Sequence, residues 1–345
     1  MFVRRPAAAF RGSIEGVRAR ISGTGSYLPA RVMTNAEVCL TAQGTSDVWI
    51  RERLGIETRH IAADDEQTSD LGAKAALRAL ESAELSPNDL DGIICAIGTG
   101  DVITPATASY VQQKLGITNK GFAFDVKLAC AGTIGGLMMA RGLIESQLAR
   151  HVLVVGTHII SRVSLDWTDR STAPIFGDGA GAVILSRSDD PDAGIIQSRL
   201  HTDGSLTEIV GMYGGGTREP LTPELVARGG HFLRMDGRAV WDCAVREVPA
   251  VIREVLAAAN LSVDELDFMI SHQANKRLLA TILDQVGIPL EKTFTNVEKY
   301  GNTVAASALI ALDEAVRLGK IHRGDLVLLT AIGAGMSFGA HLVRW

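Results

Sequence analysis

Short apolar runs alternate with longer helical patterns along this chain. Seven runs dense in aliphatic residues predict strands: RARISGTGSYL, DGIICAIGTG, HVLVVGTH, GAVILS, LDFMISH, DLVLLTAIG and AHLVRW. Helical patterns lie between many of them, at residues 69–83, 131–148, 240–259, 276–286 and 305–318. Strands that alternate with helices in this way predict an α/β protein with a mostly parallel, buried sheet.

One pattern occurs twice, about half the chain apart. The segment LSPNDLD (residues 85–91) follows a helical pattern and precedes the strand GIICA, and LSVDELD (residues 261–267) does the same before FMISH, 176 positions later. ARHVLVV and RGDLVLL match at an offset of 174. Two near-equal offsets predict a duplicated βα unit, with halves at 17–192 and 193–345 after an N-terminal extension at 1–16. A site is expected where such halves meet.

The composition supports this fold class and excludes several kinds of function. The chain has 345 residues, 46% of them hydrophobic, with 36 glycines and only 5% aromatic residues. These values suit a layered α/β core with many tight turns better than a β-sandwich. The net charge of −5 gives no electrostatic basis for binding nucleic acid. No apolar run is long enough to span a bilayer, so no membrane partner is expected.

The cysteines and the N-terminus bear on the compartment. Cys39, Cys95, Cys130 and Cys243 lack the close spacing of a metal site, so no metal is expected and a reducing cytoplasm is predicted. The N-terminal MFVRRPAAAFRGSIEGVRAR has no long apolar region, which argues against a secretory signal. A disordered or dimer-packing extension is favoured there over a targeting role.

One cysteine stands in an unusual context. The apolar run FAFDVKLA (residues 122–129) stops at Cys130, and small residues and glycines follow it in ACAGTIGG. If Cys130 opens the next helix, backbone N–H groups and the helix dipole would stabilise its thiolate. The glycines would let a ligand or another backbone approach closely. A buried structural cysteine is an equally good interpretation of this stretch alone.

Two further polar residues fall at strand–helix junctions. His272 follows FMIS in SHQANKRLL, and Asn302 lies in EKYGNTVAAS before the last predicted helix. Taken singly, the histidine is typical of a structural residue and the asparagine of a helix N-cap. Together with Cys130 they can activate a nucleophile and hold developing negative charge. The loop GAGMSFGA (residues 333–340) offers a candidate backbone N–H for an oxyanion hole.

Several long motifs resemble the β-ketoacyl-acyl-carrier-protein synthase III family of thiolase-fold condensing enzymes. They cover residues from about 17 to 345 and are GTGSYLP, TSDVWIRERLGIETRHIA, ACAG, TDRSTAPIFGDGAGAVIL, HQANKR, YGNTVAASALIALDEA and the closing glycine loop. The resemblance implies a cytoplasmic homodimer whose two duplicated βα halves form a five-layered αβαβα arrangement. It also implies no cofactor or metal, with coenzyme A thioesters as substrates.

The resemblance implies roles for four residues. Cys130 would take an acyl group from coenzyme A as a thioester, and a malonyl thioester would then bind and lose CO2. His272 and Asn302 would donate hydrogen bonds to the thioester oxygen as the enolate forms. The carbanion would attack acyl-Cys130, whose oxyanion is held by the N–H groups of Cys130 and Ala334. The product would be a β-ketoacyl thioester for fatty acid or specialised-metabolite biosynthesis.

Other matching positions would bind coenzyme A. Trp49 and Arg170 would clasp the adenine ring, since a flat ring and a guanidinium both stack on it. Arg53 and Asn275 would contact the phosphate and pantetheine parts. The glycine-rich FGDGAG (residues 176–181) looks phosphate-binding in isolation but is structural in this family.

Three departures from the family pattern concern the acyl pocket. Thr133 and Ile332 stand where the family commonly has aromatic residues, so both would alter the walls around the thiol. Thr104 stands before Pro105, at a position that reaches across the dimer into the partner's acyl pocket. A phenylalanine there keeps the pocket short, so the smaller threonine predicts a primer longer than acetyl.

A fourth departure concerns the carrier protein. Asp242 and Asp284 stand where bacterial relatives tend to have lysines, which weakens electrostatic steering of an acidic acyl carrier protein. The extender is therefore expected on coenzyme A or on a different carrier, with a standard carrier protein less favoured. The remaining basic candidates for docking are Lys276, Arg277, Arg246 and Arg253.

Three other functions compete with condensation. A related acyltransferase would pass the acyl group from Cys130 to an alcohol or amine without decarboxylation, but Asn302 serves the enolate and argues against it. A papain-like hydrolase shares the order Cys, His, Asn but lacks duplicated βα halves. A catalytically silent heterodimer partner would be expected to have lost one of the three residues.

Overall fold

The structure is a computed structural model that describes residues 16–345, so the predicted extension lies outside the described residues except for its last position. The strands in this part are β1 (Arg18–Tyr27), β2 (Arg31–Thr34), β3 (Thr58–Ile61), β4 (Gly92–Ala96), β5 (Phe122–Val126), β6 (His151–His158), β7 (Gly179–Ser188), β8 (Gly194–Thr202), β9 (Val210–Gly211), β10 (Arg234–Met235), β11 (Phe268–Ser271), β12 (Leu326–Gly333) and β13 (Ser337–Arg344).

The α-helices range from one turn to six turns in length. They are α1 (Asn35–Val38), α2 (Asp47–Leu54), α3 (Thr68–Ser82), α4 (Thr107–Lys114), α5 (Gly132–Glu145), α6 (Ile160–Val163), α7 (Pro223–Ala227), α8 (Gly237–Ala258), α9 (Lys276–Val286), α10 (Val297–Tyr300) and α11 (Ala306–Arg317). All five predicted helices are present, with ends within three residues of those expected. No helix within residues 16–345 is long and apolar enough to cross a membrane.

Two sheets form the framework, and both are mixed. The first has the order β1-β7-β6-β4-β5 and the second the order β8-β13-β12-β11. Parallel pairing is confined to β6–β4, β4–β5 and β11–β12, while the other four neighbouring pairs are antiparallel. The prediction of a mostly parallel sheet is therefore wrong. Consecutive strands such as β12 and β13 are joined by a tight turn, and such strands pair antiparallel.

The helices complete five layers, as the resemblance implied. Helix α3 packs on the outer side of the first sheet, and α8 packs on the outer side of the second. Helices α5 and α11 lie between the sheets and contact strands of both. Each central helix is buried on most of its surface because apolar residues face it from above and below.

The two halves of the chain share backbone detail. Strands β1, β7, β6 and β4 have the same order and relative directions as β8, β13, β12 and β11. Glu84 and Asn260, which are 176 positions apart, both have φ of +56°. The carboxylates of Asp91 and Asp267 each accept a backbone N–H from the first residue of the parallel neighbour strand. This agreement supports the duplication that the sequence offsets predicted.

The central helix α11 lies unusually close to the first sheet. A Cβ atom built on Gly156 of β6 would lie 2.7 Å from the carbonyl oxygen of Ala305 and 2.8 Å from its carbonyl carbon. A Cβ on Gly181 of β7 would lie 2.5 Å from the Cβ of Leu309. These glycines allow the backbone before α11 to rest on the sheet.

Replacing Gly156 by alanine is expected to destabilise the protein by about 1–3 kcal/mol, because the new methyl group overpacks against backbone. Gly142→Ala is the matched control, since Gly142 is exposed on α5 and a Cβ there meets nothing within 4 Å. That change should stabilise the helix by up to about 1 kcal/mol. Thermal unfolding of both variants beside the wild type measures the difference, and equal midpoints for Gly156→Ala and wild type would contradict the close contact.

Candidate active site

Cys130 lies on a tight turn directly before a central helix. Strand β5 ends at Val126, a 3-10 turn spans Ala129–Ala131, and α5 begins at Gly132. The turn needs a left-handed residue, and Ala129 adopts φ of +45°. A Cβ built on Gly333 would lie 2.7 Å from the Cys130 nitrogen, so the closing glycine loop packs directly on the backbone of this turn.

His272 follows β11 at the edge of the second sheet. Its backbone N–H donates to the carbonyl of Thr330 at 2.8 Å, which continues the pairing of β11 with β12. Its Nδ1 lies 2.6 Å from the Oγ of Ser307 on α11. Burial lowers the pKa of His272 to about 4, and the nearby Val304 carbonyl offsets this only in part. The imidazole is therefore neutral at neutral pH.

Asn302 lies on the turn before α11 and does not act as its N-cap. Its backbone N–H donates to the carbonyl of Ile175 at 2.9 Å. Its Oδ1 accepts the N–H of Val304 at 2.8 Å, while the N-cap of α11 is Ala305. With its oxygen engaged, the side chain has its amide NH2 group left to donate elsewhere.

One cavity of about 600 Å³ is lined by Cys130, His272 and Asn302 together. Ile332 near the end of β12 and Ala334 of the closing loop line it as well. Its walls are mainly apolar, so hydrogen bonds and charges inside it are weakly screened. The three residues that the sequence places at separate strand–helix junctions thus share one chamber.

The resting state of the cysteine differs from the expectation. Burial raises the pKa of the Cys130 thiol to about 12, and the backbone N–H lowers it by less. A helix N-terminus stabilises an anion by about 0.3–1 kcal/mol, and by up to about 2 kcal/mol in a partly buried site. One pKa unit corresponds to about 1.4 kcal/mol, so this stabilisation is smaller than the effect of burial on the thiol pKa. The free site therefore holds the neutral thiol, and the thiolate is a minor species.

Three of the four residues expected to bind coenzyme A line the cavity. Trp49, Arg170 and Asn275 do so, and the Arg170 guanidinium lies 5.3 Å from the centre of the Trp49 ring. Asn275 is also the N-cap of α9, with its Oδ1 accepting the N–H of Arg277 at 2.9 Å. Arg53 is exposed and lies outside the cavity wall, although its carbonyl accepts a bond from Asn275 Nδ2 at 3.4 Å.

The residues expected in the acyl pocket lie in three different settings. Ile332 lines the cavity. Thr133 is 1% exposed, lies away from the cavity wall, and donates its hydroxyl to the Ala305 carbonyl at 2.5 Å. Its side chain therefore faces α11, and its place in the acyl pocket stays a prediction. Thr104 is exposed and outside this chain's own cavity.

The segment FGDGAG holds neighbouring backbone in place. The buried carboxylate of Asp178 accepts N–H groups from Ala62, Ile160 and Ser161. Ile160 lines the cavity, so this carboxylate supports one cavity wall.

Several wall residues were missed because their region carries no regular pattern. Residues 203–236 contain only short elements, and no strand or helix is predicted there. Their side chains nevertheless supply much of the apolar wall, together with the start of α8: Val210, Met212, Leu233, Met235, Val240 and Trp241. Scattered large apolar residues within a glycine-rich stretch were the available signal.

The charges near the predicted docking surface are exposed and partly paired. Lys276 and Arg277 are exposed at the start of α9. Arg246 forms an ion pair with Glu247 at 2.7 Å. Arg253 donates to the Gln285 carbonyl. The exposed aspartates at the expected lysine positions are Asp242 and Asp284.

Fold and site together define a thiolase-fold condensing enzyme with a Cys-His-Asn set. Family models for 3-oxoacyl-[acyl-carrier-protein] synthase III match residues 124–204, and models for its C-terminal part match residues 256–345. The chain is 46% identical over 332 residues to the beta-ketoacyl-[acyl-carrier-protein] synthase III of Paramagnetospirillum magneticum, covering 95% of this chain and 99% of that protein.

Solved structures agree with the sequence comparison. The 3-oxoacyl-[acyl-carrier-protein] synthase III of Aquifex aeolicus is 41% identical, with a TM-score of 0.87 over 95% of this chain and 100% of that one. The priming beta-ketosynthase of the R1128 polyketide pathway is 35% identical, with a TM-score of 0.87 over 94% of this chain and 96% of that one. The chain belongs to the 3-oxoacyl-[acyl-carrier-protein] synthase III family and is a condensing transferase.

The raised pKa of Cys130 predicts how its reactivity depends on pH. Only the thiolate reacts with iodoacetamide, and for a pKa of about 12 the thiolate fraction rises about tenfold per pH unit from pH 7 to pH 10. Peptide-resolved mass spectrometry measures alkylation of Cys130 separately from alkylation of the partly exposed Cys39. A rate that levels off near pH 7 to 8 would instead support the helix-stabilised thiolate.

Proposed function

We propose that this protein condenses an acyl-CoA primer with a malonyl thioester, through an acyl-Cys130 intermediate and with loss of CO2, to give a β-ketoacyl thioester. One observation carries the proposal: Cys130, His272 and Asn302 line the same apolar cavity in a chain of this family. No cofactor or metal takes part in the proposed steps. The site lies between halves that we place at residues 17–192 and 193–345.

The first step loads the primer onto Cys130. Its sulfur forms a bond to the thioester carbon, and the oxygen gains negative charge that the N–H groups of Cys130 and Ala334 stabilise. Such donors act strongly because they are already in place and water is excluded. Collapse of the adduct breaks the bond to the coenzyme A sulfur, which takes up the thiol proton. The acyl group is then held as a thioester.

The second step forms the carbon–carbon bond. The malonyl carboxylate leaves as CO2, and its bonding electrons form an enolate on the thioester. Neutral His272 and the amide of Asn302 each donate a hydrogen bond to the enolate oxygen. The enolate carbon then bonds to the acyl carbon, the bond to Cys130 breaks, and the thiolate takes a proton from solvent. The Asn302 amide suits this role because its oxygen already accepts the Val304 N–H.

The cavity mouth is proposed to hold coenzyme A. The stacked pair of Trp49 and Arg170 would clasp the adenine, and Asn275 in the wall would contact pantetheine. Arg53 lies on the surface nearby and would reach the phosphates from outside the cavity. An acyl carrier protein that brings the malonyl group would dock on Lys276 and Arg277.

The acyl pocket is proposed to be completed in a homodimer in the cytoplasm. Thr104 lies outside its own cavity, and the neighbouring Ile103 side chain is 99% exposed. Contact with a partner would cover this isoleucine and the exposed Val102 beside it. Thr104 would then reach the partner's pocket, where its small side chain leaves space for a primer longer than acetyl.

Intact-protein mass spectrometry with a panel of acyl-CoAs tests the activity. We expect the wild type to gain an acyl mass that malonyl-CoA or malonyl carrier protein then removes as a β-ketoacyl product. Cys130→Ala should gain no mass, and Asn302→Ala should load normally but discharge roughly 10²- to 10³-fold more slowly, the usual cost of losing such a donor. Loading without malonyl-dependent discharge in the wild type would instead indicate acyl transfer to another acceptor.

Primer length is tested by comparing acetyl-CoA with octanoyl-CoA. We expect octanoyl-CoA to load and condense faster, and Thr104→Phe to reverse this preference by about tenfold or more because the larger ring shortens the pocket. Thr118→Phe serves as the control, since Thr118 is also an exposed threonine outside the cavity. A clear preference of the wild type for acetyl-CoA would rule out the longer primer.

A further inference from the structure

Ser307 lies behind His272 and contacts it on the side away from the reacting groups. It is the second residue of α11 and is 2% exposed. Its Oγ lies 2.6 Å from His272 Nδ1 and 3.1 Å from the backbone nitrogen of Gln273. The Ser307 hydroxyl thus contacts both the imidazole of His272 and the backbone N–H of the next residue.

The single proton of this hydroxyl can be placed by elimination. The Gln273 N–H is a donor, so the oxygen of Ser307 accepts there. Serines in helices often donate back to the carbonyl four residues earlier, which here is Thr303. That carbonyl accepts the Ala306 N–H, and among residues 16–345 Ser307 Oγ forms no hydrogen bond to a carbonyl. The acceptor that remains for the hydroxyl proton is His272 Nδ1.

We propose that Ser307 is a positioning residue that sets the tautomer of His272. By donating to Nδ1, it leaves the proton of the neutral ring on Nε2, the nitrogen available to the cavity. This inference rests on the proposed function, in which His272 donates to the enolate oxygen. In the opposite tautomer the lone pair of His272 Nε2 would face the enolate oxygen. Repulsion between the lone pair and this oxygen would oppose decarboxylation. Loading of Cys130, which uses backbone donors, would be spared.

A second buried histidine in the same protein provides an internal comparison. His341 Nδ1 lies 2.7 Å from the Oγ of Ser198, but its Nε2 lies 2.9 Å from the carbonyl of Ile134. A carbonyl only accepts, so it holds the proton on Nε2 with or without the serine. Ser198→Ala is the matched control for Ser307→Ala, because it removes the same serine contact at a histidine outside the cavity. The two rings differ in their carbonyl neighbours: His341 Nε2 has an aligned hydrogen bond to Ile134, whereas the Val304 carbonyl near His272 forms no such aligned bond among residues 16–345.

The direct measurement is nuclear magnetic resonance of the intact protein with 15N-labelled histidine. The two ring nitrogens differ in shift and in coupling to ring protons, so the spectrum reports which one carries hydrogen. Signals are assigned with His272→Asn and His341→Asn. We expect the Nε2–H form for both rings in the wild type, a mixture at His272 in Ser307→Ala, and no change at His341 in Ser198→Ala. Ser307→Thr keeps the hydroxyl and should restore the wild-type signal.

Kinetics supply the functional readout. Ser307→Ala should slow malonyl-dependent discharge of acyl-Cys130 by about tenfold, below the 10²- to 10³-fold cost of losing a donor outright. The loading rate should stay within about twofold, and Ser307→Thr should recover discharge. Ser198→Ala should change neither rate.

Two results would overturn the proposal. One is an Nδ1–H form at His272 in the wild type, which needs no variant to fold. The other is an unchanged tautomer and discharge rate in Ser307→Ala. Failure of the proposed function looks different: the tautomer would depend on Ser307 while the wild type never releases its acyl group to a malonyl thioester.

Discussion

The first turns of α5 and α11 lie against each other at the centre of the molecule, and the Thr133 hydroxyl joins them by donating to the Ala305 carbonyl at 2.5 Å. A Cβ on Gly132 would lie 2.9 Å from the Cβ of Ala96, so α5 also rests directly on the first sheet. This contact brings the turn with Cys130 beside the turn with Asn302. Because α11 also carries the serine that meets His272, the whole site depends on how these two helices begin.

The site works with neutral groups held in an apolar chamber. Burial keeps Cys130 protonated and His272 unprotonated at neutral pH. In the proposed reaction, new negative charge develops first on the acyl oxygen and later on the enolate oxygen. Donors that are fixed before charge appears stabilise it without reorganisation, and low polarity strengthens each hydrogen bond. The same burial makes the thiol less acidic, so the thiolate is a minor species at neutral pH.

The sequence was sufficient for the fold class, the duplication and the three central residues, since each of these leaves a local or periodic signal. It was insufficient to predict that the Thr133 side chain faces α11, because helical spacing alone cannot assign a small polar residue to one of two packed neighbours. Strand direction was misjudged because strands alternating with helices suggested parallel pairing. The connection between β12 and β13 has only three residues, which is too short for a crossover and joins an antiparallel pair. The cavity wall around Met235 was not predicted because irregular segments have no hydrophobic periodicity.

The duplicated halves also share backbone strain at the site. Ala129 and Val304, 175 positions apart, have φ of +45° and +55°, in a region that non-glycine residues seldom occupy. Such conformations cost about 1–3 kcal/mol each and persist where surrounding contacts impose them. At the first position the turn presents Cys130, and at the second the N–H of Val304 holds the oxygen of Asn302. The same kind of turn thus serves two purposes: in one half it presents Cys130, and in the other it orients the Asn302 amide, both at the same cavity.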